Sequence, residues 1–191
     1  MSPITHLLAS WALAEVSVKD RRNRIHITLA GVAPDLDGLG VVIDIVNRFL
    51  GRPESEWFAT QHHWLLHGVF GGILAVMVSG LFGMRDWRVL LLVFASFHLH
   101  LLCDLVGSRG PSPGDVWPIH YLGPFSRELT ASWGHQWALN AWQNILITAS
   151  LIAWMLYRGV TCGTTAVSLL SEHADLSVVQ TLRNRCSPKR R

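Results

Sequence analysis

The sequence predicts an all-α protein, a multi-helix transmembrane bundle with one long extracytoplasmic loop. Half of its 191 residues are hydrophobic and only 15% are charged, with a mean hydropathy of +0.30, which is more apolar than an ordinary soluble enzyme. About five apolar segments recur along the chain. The basic residues are clustered rather than spread, in Lys19–Arg24 and in the tail from Arg183 to Arg191, as cytoplasmic juxtamembrane segments are.

The elements follow in order. Ser2 and Pro3 supply an N-cap and a proline at the first helical position, so a helix runs to about Val16. No basic stretch precedes it, which favours a retained first helix over a removed signal peptide. Ile25–Leu50 is apolar but broken at Pro34, and reads as two half-helices around an irregular turn at "APDLDG". Gly68–Met84, Val89–Val106 and Leu139–Tyr157 are smoother, each about long enough to cross roughly 30 Å of hydrocarbon. Residues 107–133, rich in Gly, Pro and Trp, form a long ordered loop. Beyond Arg158 the chain turns polar, with an amphipathic helix near Ala166–Arg183. Two regions result: residues 1–158 as a membrane-embedded domain and 159–191 as a basic cytoplasmic tail, partly helical or disordered.

Orientation follows from Lys and Arg alone. With the first helix entering from outside, Lys19, Arg21, Arg22, Arg24, Arg85, Arg88, Arg158 and the basic tail lie in the cytoplasm, while Arg48, Arg52, Arg109 and Arg127 lie outside. The predicted location is the inner membrane, multi-pass. No basic face interleaved with aromatics is present, so no nucleic-acid partner is expected. Cys103, Cys162 and Cys186 are scattered and odd in number, which argues against a disulfide framework or a thiolate zinc site.

This topology gathers the ionisable residues on one side. His6 lies at the outer end of the first helix. His100 and Asp104, spaced i, i+4, share a helix face in the outer half of the membrane, as two ligands of one ion would. Their bland alternative is a hydrogen-bonded pair joining two helices, but an aspartate inside a membrane segment is costly and usually functional. His98 sits about 200° around the helix from His100 and is read as structural. In "PDLDG", Asp35 and Asp37 either cap and turn the backbone or hold a cation, one of them free to act as base. "QHHWLLHG" offers His67 with His63 at i, i+4, or with His62 if the helix begins only at His67.

Taken together, "PITHLLAS", "AGVAPDLDGLG", "HHWLLHG", "HLHLLCDLVGSRG" and "WPIHYLGPFS" resemble the YdjM-type membrane-bound metal-dependent hydrolases over about Met1–Arg127. The resemblance implies a divalent-metal site of His6, Asp35, Asp37, His62, His67, His100 and Asp104. It favours His62 over His63, although the chain departs from the family motif at His63, Trp64 and Leu66. The His-x3-Asp element is similar to one in zinc-dependent phospholipase C and related nucleases, which suggests phosphoester chemistry. Those enzymes also use an N-terminal ligand, of which the sequence gives no sign.

The expectation is therefore a membrane-bound hydrolase of a small-molecule or lipid phosphoester, with membrane lipid as its surroundings. Its cofactor would be a divalent metal, zinc first, manganese or magnesium next, with a metal-activated water and Asp35 or Asp37 as base. His120 or Arg127, in a loop acting as lid or interfacial anchor, would meet the substrate's anionic group. The alternative is a non-catalytic metal-binding membrane protein or an ion or proton conduit.

Overall fold

Ser2 is extended, and its hydroxyl accepts the Thr5 N–H at 3.2 Å, so helix α1 (Pro3–Ser17) begins at the predicted serine–proline pair. The computed structural model describes residues 1–53, 55, 57, 64–110, 112 and 114–186. Asp20 caps α2 (Arg21–Ala30) by accepting from the Asn23 N–H at 2.9 Å. The broken segment is a 3-10 turn at Ala33–Leu39 followed by α3 (Gly40–Phe49). Then come α4 (Val69–Leu81), α5 (Trp87–Gly107), α6 (Trp142–Cys162), a second 3-10 turn at Ala166–Leu169, and α7 (Glu172–Cys186). Strand is confined, among the described residues, to the pair β1 (Ile119–His120) and β2 (Thr130–Ala131), antiparallel with Ile119 opposite Ala131.

Among the described residues two helices, α5 and α6, are long and apolar enough to cross a membrane. Each has 21 residues, about 31 Å at the helical rise. The predicted crossing at Gly68–Met84 is shorter: α4 holds 13 residues, about 20 Å. Its apolar run continues to Met84, but Gly83 turns the chain with φ of 86°, a conformation glycine adopts without steric cost.

Helix directions follow from the contacts. The Thr5 and Thr148 hydroxyls meet at 2.7 Å near the start of α6, and Arg158 near its end donates to Glu15 at 2.8 Å, so α1 and α6 run in the same direction. His6 lies beside Asp104, while Ala14 packs in one apolar cluster with Ile27, Val89 and Val93, so α5 is antiparallel to α1. A second cluster, Phe97, Leu101 and Ile119, pins β1 against α5. The long loop and the start of α6 are sewn to the C-terminal end of α5 by two buried amides. Gln136 Nε2 donates to the Asp104 carbonyl at 2.8 Å, and Asn144 Nδ2 to the Gly107 carbonyl at 2.8 Å.

The chain beyond Arg158 is built onto the end of the bundle. Arg21 Nε donates to the Ser168 carbonyl at 2.6 Å, and the buried Asp175 carboxylate accepts from the Thr165 N–H at 3.0 Å and from its hydroxyl. Asp175→Ala leaves the Thr165 donors buried without an acceptor. The expected cost is about 1–3 kcal/mol, read as a lower melting midpoint in detergent and earlier proteolysis within residues 164–186.

The surface is apolar in broad bands. Only 6% of the most apolar stretch of α6 is buried, against 39% of that of α5. Ile145, Leu146, Ile152 and Leu156 of α6 point outward, as do Val42, Ile45 and Phe49 of α3 and Leu74, Met77 and Leu81 of α4. Exposed apolar side chains in this number mark lipid or protein contact faces.

Candidate metal centre

α1, the first 3-10 turn and α5 converge at one end of the bundle, and each carries a ligand-type side chain there. His6 faces inward from the second turn of α1. Asp35 comes from the turn that Pro34 forces, and His100 and Asp104 from one face of α5. One ligand atom from each of these four residues lies within 4.8 Å of all the others. The His6 and His100 side chains are fully buried, Asp104 is 3% exposed and Asp35 is 21% exposed, so the cluster has one partly open side.

Asp104 is the hub. His100 Nε2 lies 3.0 Å from its Oδ2, His67 Nε2 3.5 Å from the same oxygen, and His6 Nε2 3.1 Å from Oδ1. The amino group of Met1 also reaches Oδ1, a contact the sequence reading missed because nothing local to either residue signals it.

The imidazole rings are aimed from behind. His100 Nδ1–H donates to the Gly31 carbonyl at 2.9 Å, so in the neutral ring the Nε2 lone pair faces the Asp104 carboxylate. A lone pair 3.0 Å from a carboxylate is repulsive unless a proton or a cation sits between them. His6 stacks on His100 with ring centroids 3.7 Å apart. Both of its nitrogens, although buried, make no aligned hydrogen bond among the described residues, and neither does Asp35 Oδ2. Its Nε2 is close to Asp104 but poorly directed for a hydrogen bond. Orphaned nitrogen and carboxylate acceptors around one point are a group that could hold a metal ion.

Asp35 and Asp37, one residue apart, have divided their work. Neither caps a helix. Asp37 is buried and stands one step back: its Oδ2 lies 2.9 Å from His67 Nδ1 and accepts the Leu66 N–H at 3.1 Å. Carboxylate–histidine pairs of this kind orient a ring whose other nitrogen faces a metal, and His67 Nε2 lies 3.3 Å from His100 Nε2. Residues 64–68 are turn and bend, and α4 begins only at Val69, so His67 does not belong to a helical i, i+4 pair. His62 and His63 lie outside the described residues.

His98, read as structural, and the two residues expected to meet the substrate, His120 and Arg127, sit elsewhere. His98, on the other face of α5, bonds the Phe94 carbonyl at 2.9 Å and the Tyr121 hydroxyl at 3.0 Å. His120 Nδ1 meets Thr130 Oγ1 at 3.0 Å, and the Arg127 guanidinium lies 4.6 Å over the Trp64 ring. Burial, then the charge of Arg127, holds His120 below its ordinary pKa, which keeps its ring neutral at pH 7. Of these two, only Arg127 then offers an anion a formal charge. Neither is part of the four-residue group.

Fold and site together define a helical chain with an apolar exterior and a buried histidine–aspartate cluster able to hold a metal ion. No protein-family model, curated protein or solved structure matches it.

Proposed function

We propose that the chain is a membrane-embedded, metal-dependent hydrolase of a phosphoester, and specifically of a lipid phosphoester. The observation that carries this reading is the convergence of His6, Asp35, His100 and Asp104 within 4.8 Å in a buried site with orphaned acceptors. The proposal extends to a multi-pass inner-membrane location, with the cluster near the outer face and the basic end in the cytoplasm. The positive-inside bias and the outward-facing apolar side chains of α3, α4 and α6 support it. The YdjM-type resemblance points the same way.

His6, His100, Asp104 and Asp35 would hold the ion, with His67 beside them. The ion would polarise the phosphoryl group and make water acidic enough to attack near neutral pH. The chain's own residues do the rest. Gly31 and Asp37 fix the imidazole orientations, and the partly exposed Asp35, with Oδ2 lacking an aligned partner, is placed to take the proton.

The substrate class is argued from the walls. A cavity of about 550 Å³ reaches Asp35 and Asp104 and is otherwise lined chiefly by apolar side chains, among them Pro3, Val32, Leu36, Leu39 and Leu139. A neighbouring cavity of about 470 Å³ shares Val32 and Leu36 and is lined by Leu29, Ala75, Val78 and Phe82. An amphiphile, with its phosphoester at the carboxylates and its chain along these walls, fits better than a sugar phosphate or nucleotide.

The test uses purified protein in detergent with a generic phosphodiester and a phospholipid panel. Hydrolysis should be lost on chelation and restored by zinc, and Asp35→Asn should lower kcat by roughly 10²-fold or more, as loss of a general base does. Stoichiometric metal without turnover of any panel member would instead favour a metal that staples the helices.

A further inference from the structure

The opposite end of the bundle holds a polar cavity, about 570 Å³, between the end of α1, the α1–α2 joint and the end of α6. Three cations line it, Lys19, Arg24 and Arg158, with one carboxylate, Glu15. Glu15 is already engaged by the arginines: Arg158 Nη2 donates to Oε1 at 2.8 Å, and Arg24 Nε lies 3.6 Å from Oε2. One carboxylate cannot neutralise three cations, so the lining keeps two positive charges in excess. Donors are in excess as well. Arg24 Nε, Arg158 Nε and the Thr164 hydroxyl are buried and make no hydrogen bond among the described residues, against one acceptor in the same state, Glu15 Oε2, and such groups are costly until a partner reaches them.

We propose that this cavity binds a phosphate group, namely the headgroup phosphate of an anionic phospholipid. A tetrahedral anion offers several acceptors at once, and the guanidinium fork suits phosphate geometry. The depth also fits. Arg158 lies four residues before the end of α6, about 6 Å along the axis. Its guanidinium sits 5.7 Å from the Trp154 ring centroid, and tryptophan and basic side chains meet lipid headgroups at that level of a membrane. The site is separate from the histidine cluster and does not depend on its activity.

The experiment uses the full chain in detergent and three probes: dihexanoyl phosphatidylglycerol, the phosphate-free dihexanoylglycerol, and inorganic phosphate, with binding read by native mass spectrometry and calorimetry. Phosphatidylglycerol is expected to bind at least about tenfold tighter than the phosphate-free glyceride. Lys19 is exposed, so Lys19→Ala should weaken that binding about fivefold without unfolding the chain. Glu15→Gln, which removes the competing carboxylate and keeps its shape, should strengthen it. Inorganic phosphate binding as tightly as the lipid would retain the phosphate site and overturn the lipid as its source. Equal binding of lipid and glyceride, unchanged by Lys19→Ala and Glu15→Gln, overturns the proposal.

Discussion

Asp104→Asn is expected to strip the purified protein of the proposed metal ion, from near one equivalent to below about a tenth, because it removes the charge on the carboxylate that the imidazoles of His6, His67 and His100 share. Asp104 meets the Met1 amino group, His6, His67 and His100 from three directions while only 3% exposed. Asparagine keeps the shape and the one carbonyl oxygen but removes the charge that offsets a cation. Loss of one partner from a buried charge network typically costs about 3–5 kcal/mol, so elution volume and helicity must be read beside the metal analysis. His98→Ala is the control. It sits on the same helix, bonded to the Phe94 carbonyl and the Tyr121 hydroxyl, and should leave metal content unchanged. If the wild-type protein carries no metal, or Asp104→Asn retains it, the cluster is an ion-pair network between Asp104 and its nitrogen neighbours, and the hydrolase reading falls with it.

How much of this was legible beforehand depends on whether a residue's partner lies within a few positions of it. The start of α1 and the shared face of His100 and Asp104 are local facts, set by a serine–proline cap and by 3.6 residues per turn. The turn at Pro34 is equally local. What the sequence does not display is closure over long separations. The Gly31 carbonyl that aims His100 lies 69 residues away, and the Met1 amino group 103 residues from Asp104. Gln136 and Asn144, which tie the loop and the start of α6 to α5, carry no motif, and only their burial singles them out. The crossing expected at Gly68–Met84 overran for a related reason: hydropathy does not see that Gly68 is extended or that Gly83 is left-handed.

Gly31→Ala is expected to damage the centre without touching a ligand. A Cβ at this position would stand 1.8 Å from Ser10 Oγ, 2.6 Å from Ser10 Cβ and 2.7 Å from Ser96 Oγ. The hydroxyls can rotate away, but Ser10 Cβ moves only if α1 does. α1 carries His6 one turn earlier, and Gly31 itself holds His100 through its carbonyl, so the strain is delivered to both rings. Overpacking of this kind costs about 1–3 kcal/mol. Displaced orienting groups typically cost about 10–100-fold in metal affinity, measurable by competition with a chromophoric chelator. Gly80→Ala, where an added Cβ meets nothing within 4 Å, should change neither quantity. The double variant Ser10→Gly with Gly31→Ala removes the obstructing carbon and should recover most of the affinity, a coupling that two independent lesions would not show. If Gly31→Ala is silent, α1 and α2 do not approach this closely in the purified protein, and the geometry that brings His6 to Asp104 loses its support.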